Sequence, residues 1–192
     1  MSDAPELRIQ AARAALLVID FQEKLAAAMA PPERAACERN IGILLELARR
    51  LNIPVVVSEQ YTRGLGPTVA ALTAALAAPG LDVHRFEKLE FGCTEAPAFR
   101  PLFDRIGRGQ WIVTGMEAHV CVWQTARGLR TWGATVHVVA DAVISRSPAN
   151  LRTGLALIER AGAIVTSTET VAFDALERAG TDDFRAISRL VR

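Results

Sequence analysis

Short, continuously apolar runs alternate with helical periods along this chain, and that alternation predicts an α/β fold, a three-layer sandwich with a parallel sheet covered by helices on both faces. Three observations carry the prediction. The apolar runs, such as Ala14 to Ile19 and Gln110 to Thr114, do not alternate with polar residues, as expected of strands buried on both sides. The segments between them repeat apolar residues at helical spacing. Polar residues cluster where the runs end, at Asp20, Ser58-Glu59-Gln60, Lys88 and Asp141. Those are the carboxyl ends of strands, where ligands bind in open α/β sheets.

Taken in order, Ala14 to Ile19 is the first strand. Glu33 to Leu51 is a helix, with Cys37, Ile41, Leu44, Leu45 and Ala48 on one face. Pro54 to Val57 is the second strand. Thr68 to Ala78 is a short helix closed by Pro79-Gly80, and Leu81 to Phe86 is a third, weaker strand. Glu95 to Ile106 reads as a helix with Pro97 in its first turn, where proline is tolerated. Gln110 to Thr114 is the fourth strand. After Cys121, residues Val122, Ala126 and Leu129 mark an amphipathic helix that Gly133 stops. Ala134 to Ala140 is a valine-rich fifth strand, Pro148 to Arg160 a helix, Ala163 to Thr166 the sixth strand, and two short helices follow.

The 192 residues fit one domain, 1–192, and with 51% apolar residues they can bury a sizeable core. Net charge is +1, with no basic stripe and few aromatic residues, so nucleic acid is not an expected partner. Three widely spaced cysteines do not form a disulfide framework. Met1 to Gln10 lacks the apolar core of a signal peptide, and no apolar run approaches the ~20 residues needed to cross a membrane. A cytoplasmic protein acting on a small molecule, without membrane or nucleic-acid partners, is the expectation.

Cys121 comes just after a strand and a short turn, at the start of a helix. The field of a helix N-terminus lowers a thiol pKa, so a nucleophilic thiolate is expected there, although a buried free cysteine also serves as a small hydrophobe. Asp20 ends an otherwise apolar strand. It reads either as a general base or as a cap for the segment Gln22 to Met29. Lys88 follows the third strand, either as a fixed positive charge for the other two or as an exposed loop lysine. Together a thiol, a carboxylate and an ammonium make a nucleophile, a base and an orienting group.

Leu17-Val18-Ile19-Asp20-Phe21-Gln22, Glu87-Lys88 and Thr114-Gly115-Met116-Glu117-Ala118-His119-Val120-Cys121-Val122 resemble the isochorismatase-like cysteine hydrolases. Asp141-Ala142 and Ser167-Thr168-Glu169 extend the match, which covers about residues 13–178. Glu59-Gln60-Tyr61 followed by Gly64-Leu65-Gly66 is similar to the isochorismatase-domain-containing subgroup. The resemblance implies a six-stranded parallel sheet of order 3-2-1-4-5-6 and a catalytic triad of Asp20, Lys88 and Cys121. It also implies a cis peptide between Met116 and Glu117, an oxyanion hole from the amides of Glu117 and Cys121, and assembly into homo-oligomers. Family nicotinamidases hold a metal through an Asp-x-His element after the second strand. This chain has Glu59-Gln60-Tyr61 there, so no metal and no cofactor are expected. Members acting on the isochorismate vinyl ether lack the cysteine, so Cys121 favours amide or carbamoyl chemistry.

Phe21, Gln22, Gln60, Tyr61, Phe91 and His119 are the candidate pocket residues, with ordinary loop packing or a structural hydrogen bond as the alternative for each. Cys37 reads as core. Cys93 reads as packing or pocket lining, and Arg146 as an ion-pair partner or a contact for an anionic substrate. The function expected is thioester-forming hydrolysis of a small amide. The rival is a non-catalytic binding or assembly protein that keeps the pocket. A dinucleotide- or flavin-binding redox protein is disfavoured by the missing Gly-x-Gly-x-x-Gly.

Overall fold

A computed structural model describes residues 7–191, so most of the stretch Met1 to Gln10 that was read for a signal sequence lies outside the described residues. Six parallel strands form one sheet of order β3-β2-β1-β4-β5-β6. They are β1 (Ala14–Ile19), β2 (Val55–Gln60), β3 (Val83–Lys88), β4 (Gln110–Met116), β5 (Thr135–Ile144) and β6 (Ile164–Thr166). The helices are α1 (Glu23–Ala27), α2 (Pro31–Leu51), α3 (Thr62–Leu65), α4 (Ala70–Leu76), α5 (Phe99–Ile106), α6 (Trp123–Thr131), α7 (Pro148–Arg160), α8 (Thr168–Leu176) and α9 (Asp182–Leu190).

Successive strand residues point to opposite faces of a sheet, and β1 divides accordingly. Ala14, Leu16 and Val18 pack into a core with α2, α4, α8 and α9. Ala15, Leu17 and Ile19 pack into a second core with α5, α6 and α7. All six β1 residues are buried, which is why the run shows no alternation. The long helix α2 begins with Pro31 and Pro32, whose missing N–H groups cost nothing in a first turn, and ends at Asn52 in the left-handed conformation. Side-chain oxygens of Ser167 and Thr181 cap α8 and α9. Among the described residues, no helix is long and apolar enough to cross a membrane.

Several boundaries differ from the sequence expectation, each for a local reason. The third strand runs on to Lys88 because its pairing with β2 continues to Gln60↔Lys88. The helix expected from Glu95 begins at Phe99, after a 3-10 turn at Cys93–Glu95, and Pro101 rather than Pro97 occupies its first turn. The fifth strand passes through Asp141 to Ile144, because pairing with β4 resumes at Gly115↔Val143 beyond a bulge. Asp141 accepts hydrogen bonds from the Thr168 N–H and hydroxyl (2.8 and 2.9 Å), so its carboxylate braces the start of α8. Gly115, where pairing resumes past the bulge, has φ of 108°. A Cβ there would overlap the backbone of Ile19, so only glycine lets β1 and β4 approach this closely.

His137 lies in β5 between Ile112 and Ile164, buried, with no hydrogen-bond partner for Nε2. Burial pushes its pKa down from 6.5 to about 4, against the attraction of Asp174. The unfolded chain therefore binds a proton that the folded chain refuses between those values, and stability is lost as the pH falls through that window. Denaturant midpoints measured at pH 7.5 and pH 5 should separate for the native chain and converge for His137→Leu.

Candidate active site

The chain passes from one half of the sheet to the other between β1 and β4, and the crevice beyond those carboxyl ends is where such sheets bind ligands. Asp20 leaves β1 there, Lys88 ends β3, and Cys121 lies in a turn after β4. All three are buried, at 0%, 3% and 4% exposure.

Lys88 Nζ donates to Asp20 Oδ2 at 2.6 Å and to the carbonyl oxygens of Glu90 (3.1 Å) and Phe91 (2.9 Å). An ammonium has three protons, so this set uses them all. Asp20 Oδ1 accepts from the Ser58 hydroxyl at 2.7 Å. The Cys121 thiol donates to Gln60 Oε1 at 3.7 Å and stands close enough to Asp20 for the two to interact.

Burial raises the Asp20 pKa above the ordinary 3.8, and Lys88 opposes it. Burial also works against the Lys88 charge, but Asp20 and the two nearby sulfurs outweigh it, and Lys88 is raised. Burial first, and then the Asp20 carboxylate, push the Cys121 thiol well up, with Lys88 opposing. The 2.6 Å contact holds Asp20 and Lys88 as an ion pair, and the thiol beside them keeps its proton. This corrects the expectation of a thiolate stabilised by a helix N-terminus. Cys121 is not in the first turn of α6. It sits in a wide π-type turn, Ala118–Val122, that precedes the helix.

That turn is fixed on several sides. The Met116–Glu117 peptide is cis. The Glu117 carbonyl accepts the N–H groups of Val120 (3.0 Å) and Val122 (3.2 Å), passing over that of Cys121. The buried Glu117 carboxylate accepts from the Arg146 backbone N–H (2.9 Å) and from Arg146 Nε (3.1 Å). His119 reaches Ser145 Oγ through Nδ1 (3.0 Å) and Asn150 Nδ2 through Nε2 (3.3 Å).

A cavity of about 570 Å³ opens above the sulfur, lined by Leu25, Gln60, Tyr61, Leu65, Leu89, Phe91, Glu117, Val120, Cys121 and Arg146. Gln60, Tyr61 and Phe91 thus lie where pocket residues were expected. Phe21, Gln22 and His119 do not line it. Phe21 packs into the core under α2. Gln22 is a buried bracket: its Nε2 donates to the carbonyls of Gln60 (3.0 Å) and Gly66 (2.6 Å), and its Oε1 accepts the Gln60 N–H (2.7 Å). His119 faces β5 and α7 through the bonds given above. Arg146 is an ion-pair partner of Glu117 and also lines the cavity. Sequence reasoning missed Ser58, the Glu117 carboxylate and the wall residues Leu25, Leu65, Leu89 and Val120. Ser58 is betrayed only by strand register, and the apolar wall residues look like any helix or loop hydrophobe. Among the described residues, no three histidine, cysteine or acidic side chains cluster so as to hold a metal.

Residues 14–170 match the isochorismatase domain model. The chain belongs to the isochorismatase family. It is 38% identical over 151 residues to the secreted isochorismatase effector Isc1 of Phytophthora sojae, covering 78% of this chain and 71% of the relative. It is 33% identical over 184 residues to isochorismatase domain-containing protein 2 of Danio rerio, covering 96% and 89%. Among solved structures, MAR1 ribonuclease from Caenorhabditis elegans superposes with a TM-score of 0.84 at 36% identity, covering 96% of this chain and 92% of that one. The protein is accordingly an isochorismatase-family hydrolase.

In this isochorismatase-family chain, α7 lies against the cysteine turn at Gly154. A Cβ there would come within 2.8 Å of the Ala118 carbonyl carbon and the His119 nitrogen. Both are backbone atoms, so the turn itself must move. Gly154→Ala should destabilise the fold by about 1–3 kcal/mol in thermal denaturation and change the rate at which iodoacetamide labels Cys121.

Proposed function

We propose that this protein is a cysteine hydrolase that cleaves a small amide or carbamoyl compound through a thioester. The observation that carries the reading is the convergence of Asp20, Lys88 and Cys121 in one water-poor cluster, with the sulfur open to the cavity. The chemistry follows from the bonds around Asp20. Burial makes its carboxylate a stronger base than an ordinary aspartate. It takes the thiol proton as the sulfur attacks the substrate carbonyl. The C–S bond forms, and the carbonyl electron pair moves to oxygen, which the amides of Glu117 and Cys121 receive. Collapse of that intermediate breaks the C–N bond, and Asp20 returns its proton to the departing nitrogen. Water then gives a proton to Asp20 and attacks the thioester, and the sulfur leaves and regains that proton. Lys88 keeps its charge throughout, since each of its protons is already bonded.

The cavity suits a compact substrate. Leu25, Leu65, Leu89, Phe91 and Val120 supply apolar walls, and Arg146 is the one cation among the lining residues. The nematode relative is named a ribonuclease, but a phosphodiester backbone calls for several cations, and Arg146 already shares its charge with Glu117. Assembly into a homo-oligomer belongs to this proposal, supported by the exposed apolar side chains of Tyr61, Leu89 and Phe91 around the cavity mouth. So does a reducing, cytoplasmic setting, supported by three unpaired cysteines.

Incubation with a panel of aliphatic and aromatic amides should release ammonia and leave an acyl mass on Cys121, and Cys121→Ala should lower turnover by about 10³–10⁶-fold with the fold retained. Undiminished turnover in that variant would refute the nucleophile. No turnover and no adduct on any amide would favour the binding-protein reading, and Cys121-dependent cleavage of RNA would favour a ribonuclease. A second expectation concerns pH. Turnover and iodoacetamide labelling of Cys121 should share an acid limb with a midpoint above 3.8, the rate falling as Asp20 gains a proton. Asp20→Asn should remove that limb.

A further inference from the structure

Ser58 and Cys93 line no part of the cavity, and both are 0% exposed. Ser58 pairs with Ile19 in the parallel register of β1 and β2, so it stands beside the point where the chain leaves β1 as Asp20. Two bonds join the residues. The Asp20 N–H donates to the Ser58 carbonyl at 3.1 Å, and the Ser58 hydroxyl donates to Asp20 Oδ1 at 2.7 Å. Asp20 adopts φ of 48°, a left-handed conformation that a residue with a side chain enters at a cost unless its surroundings hold it.

A hydroxyl has one proton, and Ser58 gives it to Asp20, so its oxygen is left to accept. The buried Cys93 side chain lies behind Ser58, close enough for the two to interact. Burial holds its thiol up at about 11, which keeps the proton on sulfur at neutral pH. Cys93 is itself tethered by its N–H to Thr125 Oγ1 at 2.9 Å, one helical turn beyond Cys121 on α6. Ser58 thus gives its proton to the Asp20 carboxylate with Cys93 behind it, and neither residue lines the cavity.

We propose that Ser58, with Cys93 behind it, is a positioning residue that holds Asp20 in its left-handed conformation and stabilises the charged form of its carboxylate. The inference rests on the reading of Asp20 as the base and deepens it. Three groups face the Asp20 oxygens: Lys88 from β3, Ser58 from β2 and Cys121 from its turn. Lys88 supplies charge. Cys121 gives up its proton in the first chemical step. Ser58 is the neutral donor that stays in place through the whole cycle.

The test reads the carboxyl group directly and needs no substrate. Aspartate labelled with ¹³C at the carboxyl carbon is incorporated into the full chain, and the Asp20 resonance is assigned by its loss in Asp20→Asn. Ser58→Ala should raise the Asp20 midpoint by about one pH unit, the size expected for one lost hydrogen bond to a charged acceptor. Ser58→Thr, which keeps the hydroxyl, should stay near the native value. An unchanged midpoint in folded Ser58→Ala would overturn the proposal. Should that variant not fold, identical midpoints for Ser58→Thr and Ser58→Val, which differ by the hydroxyl alone, would overturn it instead. Failure to turn over any amide would sink the hydrolase reading while leaving this titration intact, so the two ideas fail separately.

Discussion

Asp20 and Lys88 are opposite charges in contact at 2.6 Å, with both side chains at zero exposure. Each alone would be very costly in such a place, and attraction between them offsets that cost only if their remaining valences are also met. They are met here by neighbours from three parts of the chain. Ser58 and the Cys121 thiol approach the carboxylate. The carbonyls of Glu90 and Phe91 take the two other ammonium protons, so the segment after β3 must fold back over its own last residue. A pair of well-packed hydrophobes would stabilise this position at least as well. The retention of charge points to chemistry, and the architecture around it is what makes that charge tolerable.

Sheet order brings the neighbours together. The two β-α halves diverge at β1 and β4, leaving room above their ends for a side chain from either half. Gly115 lets the strands draw close, and the cysteine turn hangs immediately beyond it. Glu117 to Arg146 and His119 to Ser145 and Asn150 then tie this turn to the segment linking β5 and α7. The sulfur is held by elements from both sides of the molecule, although it lies in a short irregular segment.

Much of this was legible in the amino-acid order. The apolar runs located β1, β2, β4 and β5, because strands buried on two faces admit little else. Asp20 stood out because it interrupts such a run. Lys88 was legible as a polar residue at a strand end but misplaced as a loop residue, since β3 is an edge strand with exposed positions and a weak apolar signal. The thiol environment was misjudged because periodicity cannot distinguish the first turn of an α-helix from a π-type turn ahead of it. Ser58 and the Glu117 carboxylate were invisible for a deeper reason. Their roles depend on cross-strand register and on a turn fixed by distant partners, and neither has a local pattern. Gln22 was read as a pocket wall, yet its amide is taken up by main-chain groups of Gln60 and Gly66, a bond set with no local pattern.

The division of labour between strand ends and short helices has an evolutionary consequence. The groups proposed to react sit on or beside the sheet, whereas Leu25 and Leu65 come from α1 and α3, which Gln22 fastens through bonds to main-chain groups that do not depend on the identity of the wall side chains. Changes in wall size or polarity can therefore accumulate without disturbing the charges beneath. A scaffold built this way can diverge toward new ligands one side chain at a time while its reactive centre stays fixed.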